Sequence, residues 1–383
     1  LVFVHQPLWG DPAPFTALLD TFRRAHPEIE LETQLLPNDS DVAHQYFLTS
    51  LEGGSADLDV FVADVVWVPE FARAGWIAEL TDVFPLDDDF LPGARDAVTV
   101  DGKTWAVPWY LDVGLLYFRT DLVPHAPRTW DELTTFARAA MRARPGLQGL
   151  LWQGRQYEGL VCNVYEAIWA SGGASLSGER LALDTPEANA GVQRLRGLIA
   201  EGLSPHSVLS AAEEESRRAF QDGRAVFMRN WPYAWAELQR EGSAVRGKVG
   251  LAPLPTEDGT PGSGALGGWQ LAVNASSSPE RRQAAFELVR MLTSTEATVL
   301  LARAYGRNPP RRSAYGRLQG TEFEALLPML ERARPRPVTP YYGLLTDVLQ
   351  GEFSAAISGV RSPEEALRRA QRQADRLMGA ANQ

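Results

Sequence analysis

Four stretches of this 383-residue chain set carboxylates, amides or an arginine beside aromatic rings. They are Asp64-Val-Val-Trp67, Trp105-Ala-Val-Pro-Trp109-Tyr110-Leu-Asp112, Arg229-Asn-Trp231-Pro-Tyr233-Ala-Trp235 and Gly267-Gly268-Trp269-Gln270. Groups of these types serve two chemistries. Two carboxyls at a fixed separation across a glycosidic bond hydrolyse it, and Asp64, Asp112 and Glu158 are the candidates. Alternatively, the same carboxylates accept hydrogen bonds from sugar hydroxyls, an arginine donates as a planar fork, and Trp or Tyr offers a flat surface to a sugar's C–H face. Sequence spacing does not fix a carboxyl–carboxyl separation, so both readings stand on the residues alone. Each stretch joins an apolar run to what reads as a polar, aromatic loop. In open α/β sheets such strand ends face the ligand crevice.

Other chemistries find no support in the motifs. The five histidines, at positions 5, 26, 44, 125 and 206, form no pair at helical metal-ligand spacing. HExxH, Walker A and GxSxG patterns are absent. Gly262-Ser-Gly264-Ala-Leu-Gly267 spells GxGxxG, but it lies in a Pro/Gly loop and leads into a strand pattern, where a dinucleotide site needs a helix. Neither metal nor cofactor is expected. Cys162 is the single cysteine, which excludes an intrachain disulfide and a cysteine-based zinc site and leaves its own role open. Acidic and basic residues are interspersed around a net charge of −11, with no basic stripe for nucleic acid. No run of 18 apolar residues suggests a membrane span.

These residues must be positioned by alternating strands and helices. The length suits two domains, and the alternation is that of α/β layers. Leu1-Val-Phe-Val reads as a core strand. Asp11-Pro12 opens a helix, with Asp11 as N-cap and Phe15, Leu18, Leu19 and Phe22 along its apolar face. Ile29, Leu31, Thr33 and Leu35 alternate with polar residues, the pattern of a half-buried strand. A helix over 41–51, a buried strand over 59–64 and a helix over 69–74 follow. Thr129 and Ser362 begin capping boxes, and Ser278-Pro279 opens a further helix. The stretches 253–268 and 307–311, rich in Pro and Gly, read as linkers or long loops, so the chain is expected to cross between lobes more than once.

The order and spacing of these landmarks resemble the solute-binding proteins of carbohydrate ABC importers, the maltose-binding-protein-like group, and within it the trehalose/maltose-binding branch. The likeness also rests on Gly102-Lys-Thr-Trp-Ala-Val-Pro108-Trp109, Phe220-Gln-Asp-Gly-Arg-Ala-Val-Phe-Met228 and Arg336-Pro-Val-Thr-Pro-Tyr-Tyr342, and it runs nearly end to end. It implies a periplasmic-binding-protein-like α/β fold: two lobes, 1–112 plus 269–312 and 113–268 plus 313–383, joined by hinge crossovers with a ligand cleft between them. It implies a monomeric, non-enzymatic subunit that closes on an α-glucoside disaccharide and delivers it to the permease's transmembrane subunits. Its place would be periplasmic or extracellular, with lipid anchoring as one mode of attachment, after removal of an upstream signal segment.

By the same resemblance, Asp64 is the first-lobe carboxylate for sugar hydroxyls, and Tyr110 and Asp112 are the pair at the first crossover. Trp231 and Tyr233 form the second-lobe aromatic platform. Gly267, Gly268 and Trp269 supply backbone and ring contacts on the hinge side, Arg336 reaches the ligand from the C-terminal part, and Glu158 faces the cleft. The chain departs from the branch at one arginine of the second helix, where it reads Ala43-His44-Gln45. Either His44 and Gln45 supply the missing hydrogen bonds, or the second sugar ring lies differently, or His44 is an ordinary solvated residue. A glycoside hydrolase and a ligand receptor feeding a sensor pathway are the alternative functions.

Overall fold

The computed structural model describes residues 1–37, 39–55, 57–178 and 180–381. The chain divides into two compact α/β units. One comprises Leu1–Asp112, Leu266–Leu327 and Val338–Tyr342, and the other Val113–Ala265, Pro328–Pro337 and the chain from Gly343 onward. The stretch 313–327, expected in the second lobe, packs with the first. Arg303 donates to the carbonyl of Arg317, Arg317 pairs with Glu296, and Leu318 and Phe323 are buried. The return of the chain to the first unit falls after Ala265, three residues before the expected boundary.

The first unit is built on a five-stranded sheet in the order Glu32–Leu35, Val2–His5, Val60–Asp64, Leu266–Val273, Val107–Val113. The first three strands are parallel, and Leu266–Val273 runs antiparallel to Val60–Asp64. Val60–Ala63 are buried, as an apolar run in a central strand requires. Glu32–Leu35 departs from the expected half-buried strand: all four residues are exposed, Leu35 at 66%. It is the outermost strand, with one neighbour only, and the buried side chains are Leu31 and Leu36 at its ends. The first helix, Ala13–Ala25, begins one residue later than the sequence suggests. Pro12 is its N-cap, and Asp11 still serves the helix end by accepting the Ala13 N–H at 3.0 Å.

The second unit holds a four-stranded sheet in the order Val249–Ala252, Leu115–Arg119, Ala225–Asn230, Gln148–Leu151. Its first two pairings are antiparallel and the last is parallel. The helix Glu158–Ala170 is buried on every side, so it is a core element of this unit. Thr129 caps Trp130–Ala143 by accepting the Glu132 N–H at 3.1 Å, while the Glu132 carboxylate reaches the N–H of Arg128.

Candidate functional site

In the first unit the strand register assembles the expected residues. Asp64 ends its strand directly opposite Trp269 of the antiparallel neighbour, so the two side chains share a face. Asp64 is half-buried, and its Oδ1 accepts the N–H of Val66 at 3.1 Å. Trp269 meets Trp67 edge-on at 5.5 Å between ring centroids.

The segment 105–112 is strand rather than loop over most of its length, since Val107–Val113 is wholly buried. Alternation sorts its rings. Trp109 turns into the core against Phe3 and Phe15, with centroids at 5.8 and 6.1 Å. Tyr110 and Asp112 occupy the other face. Arg307 lies over the Tyr110 ring at 4.9 Å, and its Nη1 is 3.9 Å from Asp112 Oδ2. Burial pushes the Tyr110 hydroxyl's pKa up; Arg307 opposes this, and Asp112 and Asp64 add to it. Two hydrogen bonds hold Asn308 against this strand: the Leu111 N–H donates to the Asn308 carbonyl at 2.9 Å, and the Asn308 side-chain amide donates to the Leu111 carbonyl at 3.1 Å.

Gly268 has a steric reason to be glycine. At φ +119°, an added Cβ would lie 2.4 Å from the Tyr110 carbonyl oxygen, so the strand carrying Trp269 can approach Tyr110 only without a side chain there. Gly267, its neighbour, is buried in the same strand.

His44 stacks on Trp67 at 5.1 Å and on Phe71 at 5.9 Å, and its Nε2 lies 2.8 Å from Glu70 Oε2. Gln45 is exposed on the same helix, Ser40–Glu52, and joins none of these contacts among the described residues. Glu70 and Arg307 were not among the expected site residues, and Trp67 was named only as the aromatic end of the stretch that begins at Asp64. Arg307 had a signal, since it opens the Arg307-Asn-Pro-Pro-Arg311 break; Glu70 had none, because only the fold brings it to His44.

In the second unit Trp231 and Tyr233 follow the strand Ala225–Asn230. The Trp231 ring is half-buried, with Nε1 donating to Glu213 Oε1 at 3.2 Å and the Arg229 guanidinium 4.1 Å from its centroid. Tyr233 is buried, and its hydroxyl donates to Glu214 Oε1 at 2.9 Å; burial, then the negative charge of Glu214, raises its pKa. Glu158 sits in the first turn of Glu158–Ala170, where a carboxylate suits the helix dipole. Arg336 donates to Glu158 Oε1 at 2.5 Å, and Thr346 Oγ1 donates to Oε2. With Arg336 only 2% exposed, the residue expected to reach a ligand is engaged by Glu158. Cys162 is buried near Glu158, Arg336, Arg229 and Glu166, and burial pushes its thiol pKa up, which makes it a poor nucleophile.

A probable ABC transporter-binding protein of Deinococcus radiodurans is 33% identical over 90% of this chain and 86% of its own length. The mannitol-binding protein of Pseudomonas aeruginosa is 27% identical over 95% of this chain and 90% of its own. The maltose-bound MalE3 of T. maritima superposes with a TM-score of 0.91 at 38% identity, covering 98% of this chain and 100% of that one. The family model of bacterial extracellular solute-binding proteins matches residues 7–299, more than half of the chain, and the chain belongs to that family.

Proposed function

We propose that this chain is the extracytoplasmic solute-binding subunit of a carbohydrate ABC importer, and that its ligand is an α-linked glucose disaccharide of the maltose or trehalose type. The observation that carries the reading is the first unit's acceptor–ring pair, Asp64 opposite Trp269, beside Tyr110, Asp112 and Arg307. A carboxylate next to a flat ring is what a sugar's hydroxyl edge and C–H face ask for. Family membership and the 38% identity to a protein solved with maltose support the substrate class.

In this reading Trp231 and Tyr233 give the same ligand its second surface, Gly267 and Gly268 lend backbone contacts, and His44 takes the place of the unmatched arginine. The subunit acts as a monomer outside the cytoplasm, cuts no bond, closes on the sugar and hands it to the permease's transmembrane subunits.

Calorimetric titration with maltose, trehalose, sucrose, cellobiose, lactose, glucose and mannitol tests the proposal. Maltose or trehalose should bind at about micromolar Kd, roughly −8 kcal/mol, more than tenfold tighter than cellobiose, lactose or mannitol and with no change on adding EDTA. Mannitol, the ligand named for the Pseudomonas relative, winning the series would replace the disaccharide with a polyol. Release of dye from a chromogenic α-glucoside would make the chain a hydrolase.

A further inference from the structure

Arg229 and Glu166 form an ion pair inside the second unit, with side chains 3% and 4% exposed. Arg229 Nε donates to Glu166 Oε2 at 2.8 Å, its Nη2 to Oε1 at 2.5 Å, and its Nη1 to Gln153 Oε1 at 3.1 Å. Burial works against the guanidinium charge, but Glu166 outweighs it and the pKa of Arg229 is raised. The group is a fixed cation. Replacing a buried ion pair by well-packed apolar residues is often neutral or stabilising, so stability gives little reason for one here.

What the pair touches supplies a reason. The guanidinium lies 4.1 Å from the centroid of Trp231 and covers one face of that ring by a cation–π contact. The backbone beneath is held as well: Asn230 Oδ1 accepts the Trp231 N–H at 2.8 Å, and Tyr117 donates to the Trp231 carbonyl at 2.8 Å. The ring edge donates to Glu213.

The same Glu166 Oε1 also accepts the N–H of Ala265 at 2.9 Å, and the Ala265 carbonyl accepts the N–H of Gly114 at 3.1 Å. A Cβ on Gly114 would stand 1.8 Å from Glu166 Oε1, so glycine is needed for the carboxylate to reach this place. Val113 and Ala265 are residues at which the chain passes between this unit and the other.

We propose that Glu166, acting through Arg229, is a positioning residue that fixes the Trp231 ring for ligand stacking and ties it to two of the chain crossings, one next to Gly114 and one at Ala265. The inference rests on the reading of Trp231 as a stacking surface. A ring held before the ligand arrives loses less side-chain entropy on binding, and the face opposite the guanidinium is the one left for a sugar.

A double-mutant cycle tests the link, with maltose and trehalose as probes. Arg229→Lys keeps the charge paired with Glu166 but loses the planar fork. It should weaken binding about twofold to fivefold, a part of the cation–π contact, because the lysine ammonium keeps some of it. In a Trp231→Ala background it should have almost no further effect, because its role runs through the ring. Glu166→Gln should repeat that pattern. Equal losses in both backgrounds, or no loss in either, overturn the proposal.

A measurement that leaves the pair intact covers the case in which these variants fold poorly. With 5-fluorotryptophan incorporated and the Trp231 signal assigned through Trp231→Phe, the ligand-free protein should give one sharp fluorine resonance for that ring. Several or exchange-broadened lines overturn the fixed orientation. Failure of the sugar reading would appear separately, as no binding by the unaltered chain.

Discussion

Asp64 of the first unit and Glu158 of the other have similar settings in the sequence, each a carboxylate in an aromatic segment at the edge of an apolar run. Their surroundings in the fold set them apart. Asp64 is half-buried, with one oxygen accepting a neighbouring backbone N–H and Trp269 across from it. Glu158 is buried, with an arginine on one oxygen and a threonine on the other. Glu166 is likewise taken by Arg229. The contrast is between a half-buried carboxylate at a strand end and buried carboxylates paired with arginines of their own unit. The former suits exchange of water for sugar hydroxyls; the latter suits fixing what lies around it.

Removing one carboxylate of each kind separates the two roles. Glu158→Ala leaves the Arg336 cation buried without its carboxylate and should destabilise the protein by about 3–5 kcal/mol. The urea midpoint of the ligand-free protein reads that loss. Asp64→Ala should leave the midpoint almost unmoved and cost binding instead, by about 1.5–3 kcal/mol or roughly tenfold to a hundredfold in Kd. If Asp64→Ala unfolds the protein while Glu158→Ala only weakens maltose binding, the assignment is reversed.

Asp59 pairs with an arginine that is itself half exposed, and its effect on stability depends on pH. It is fully buried at the start of a first-unit strand. Burial raises its pKa, but hydrogen bonds from Arg281, the Val2 N–H and Ser277 lower it further, so the carboxyl titrates below its ordinary value. The unfolded chain then binds a proton first as pH falls. The stabilisation is complete above the unfolded value, about 3.9, and is lost as pH drops through the lower folded value. Asp59→Asn should cost about 2 kcal/mol at pH 7 and progressively less on acidification below pH 4. A cost that stays constant across that range would mean the charge contributes nothing.

The smallest effect concerns His44. Stacked on Trp67 and held by Glu70, it should contribute to binding mainly by fixing the Trp67 ring. His44→Ala is expected to weaken maltose binding about twofold to fivefold, within the range of a single modest contact. Glu70→Gln should do slightly less. Unchanged affinity in both variants would make His44 a packing residue of the first unit with no part in binding.

Much of the fold was legible in the sequence because it rests on local rules. The run Val60–Ala63, the caps at Thr129 and Ser278, and the helix end at Gly75 with its positive φ follow from periodicity and backbone preference. Alternation also pairs Tyr110 with Asp112 on one strand face. Where local rules misled, a neighbour decided. Alternation over 29–35 gave no sign that the strand would be outermost, and the aromatic segment 105–112, read as a loop, gave no sign that Trp109 would turn inward.

By itself the sequence determined the α/β alternation, the element ends, the acidic–aromatic character of the candidate site and, through its landmarks, the resemblance to sugar-binding proteins. Those properties depend on residue type and short spacing. Only the tertiary structure decided which carboxylates an arginine claims. Arg336 and Glu158 are 178 residues apart, Arg229 and Glu166 are 63 apart, and His44 and Glu70 are 26 apart. A charge's role depends on what lies within a few ångströms of it, and contacts across such distances are set by how the strands and helices pack, which no local pattern encodes.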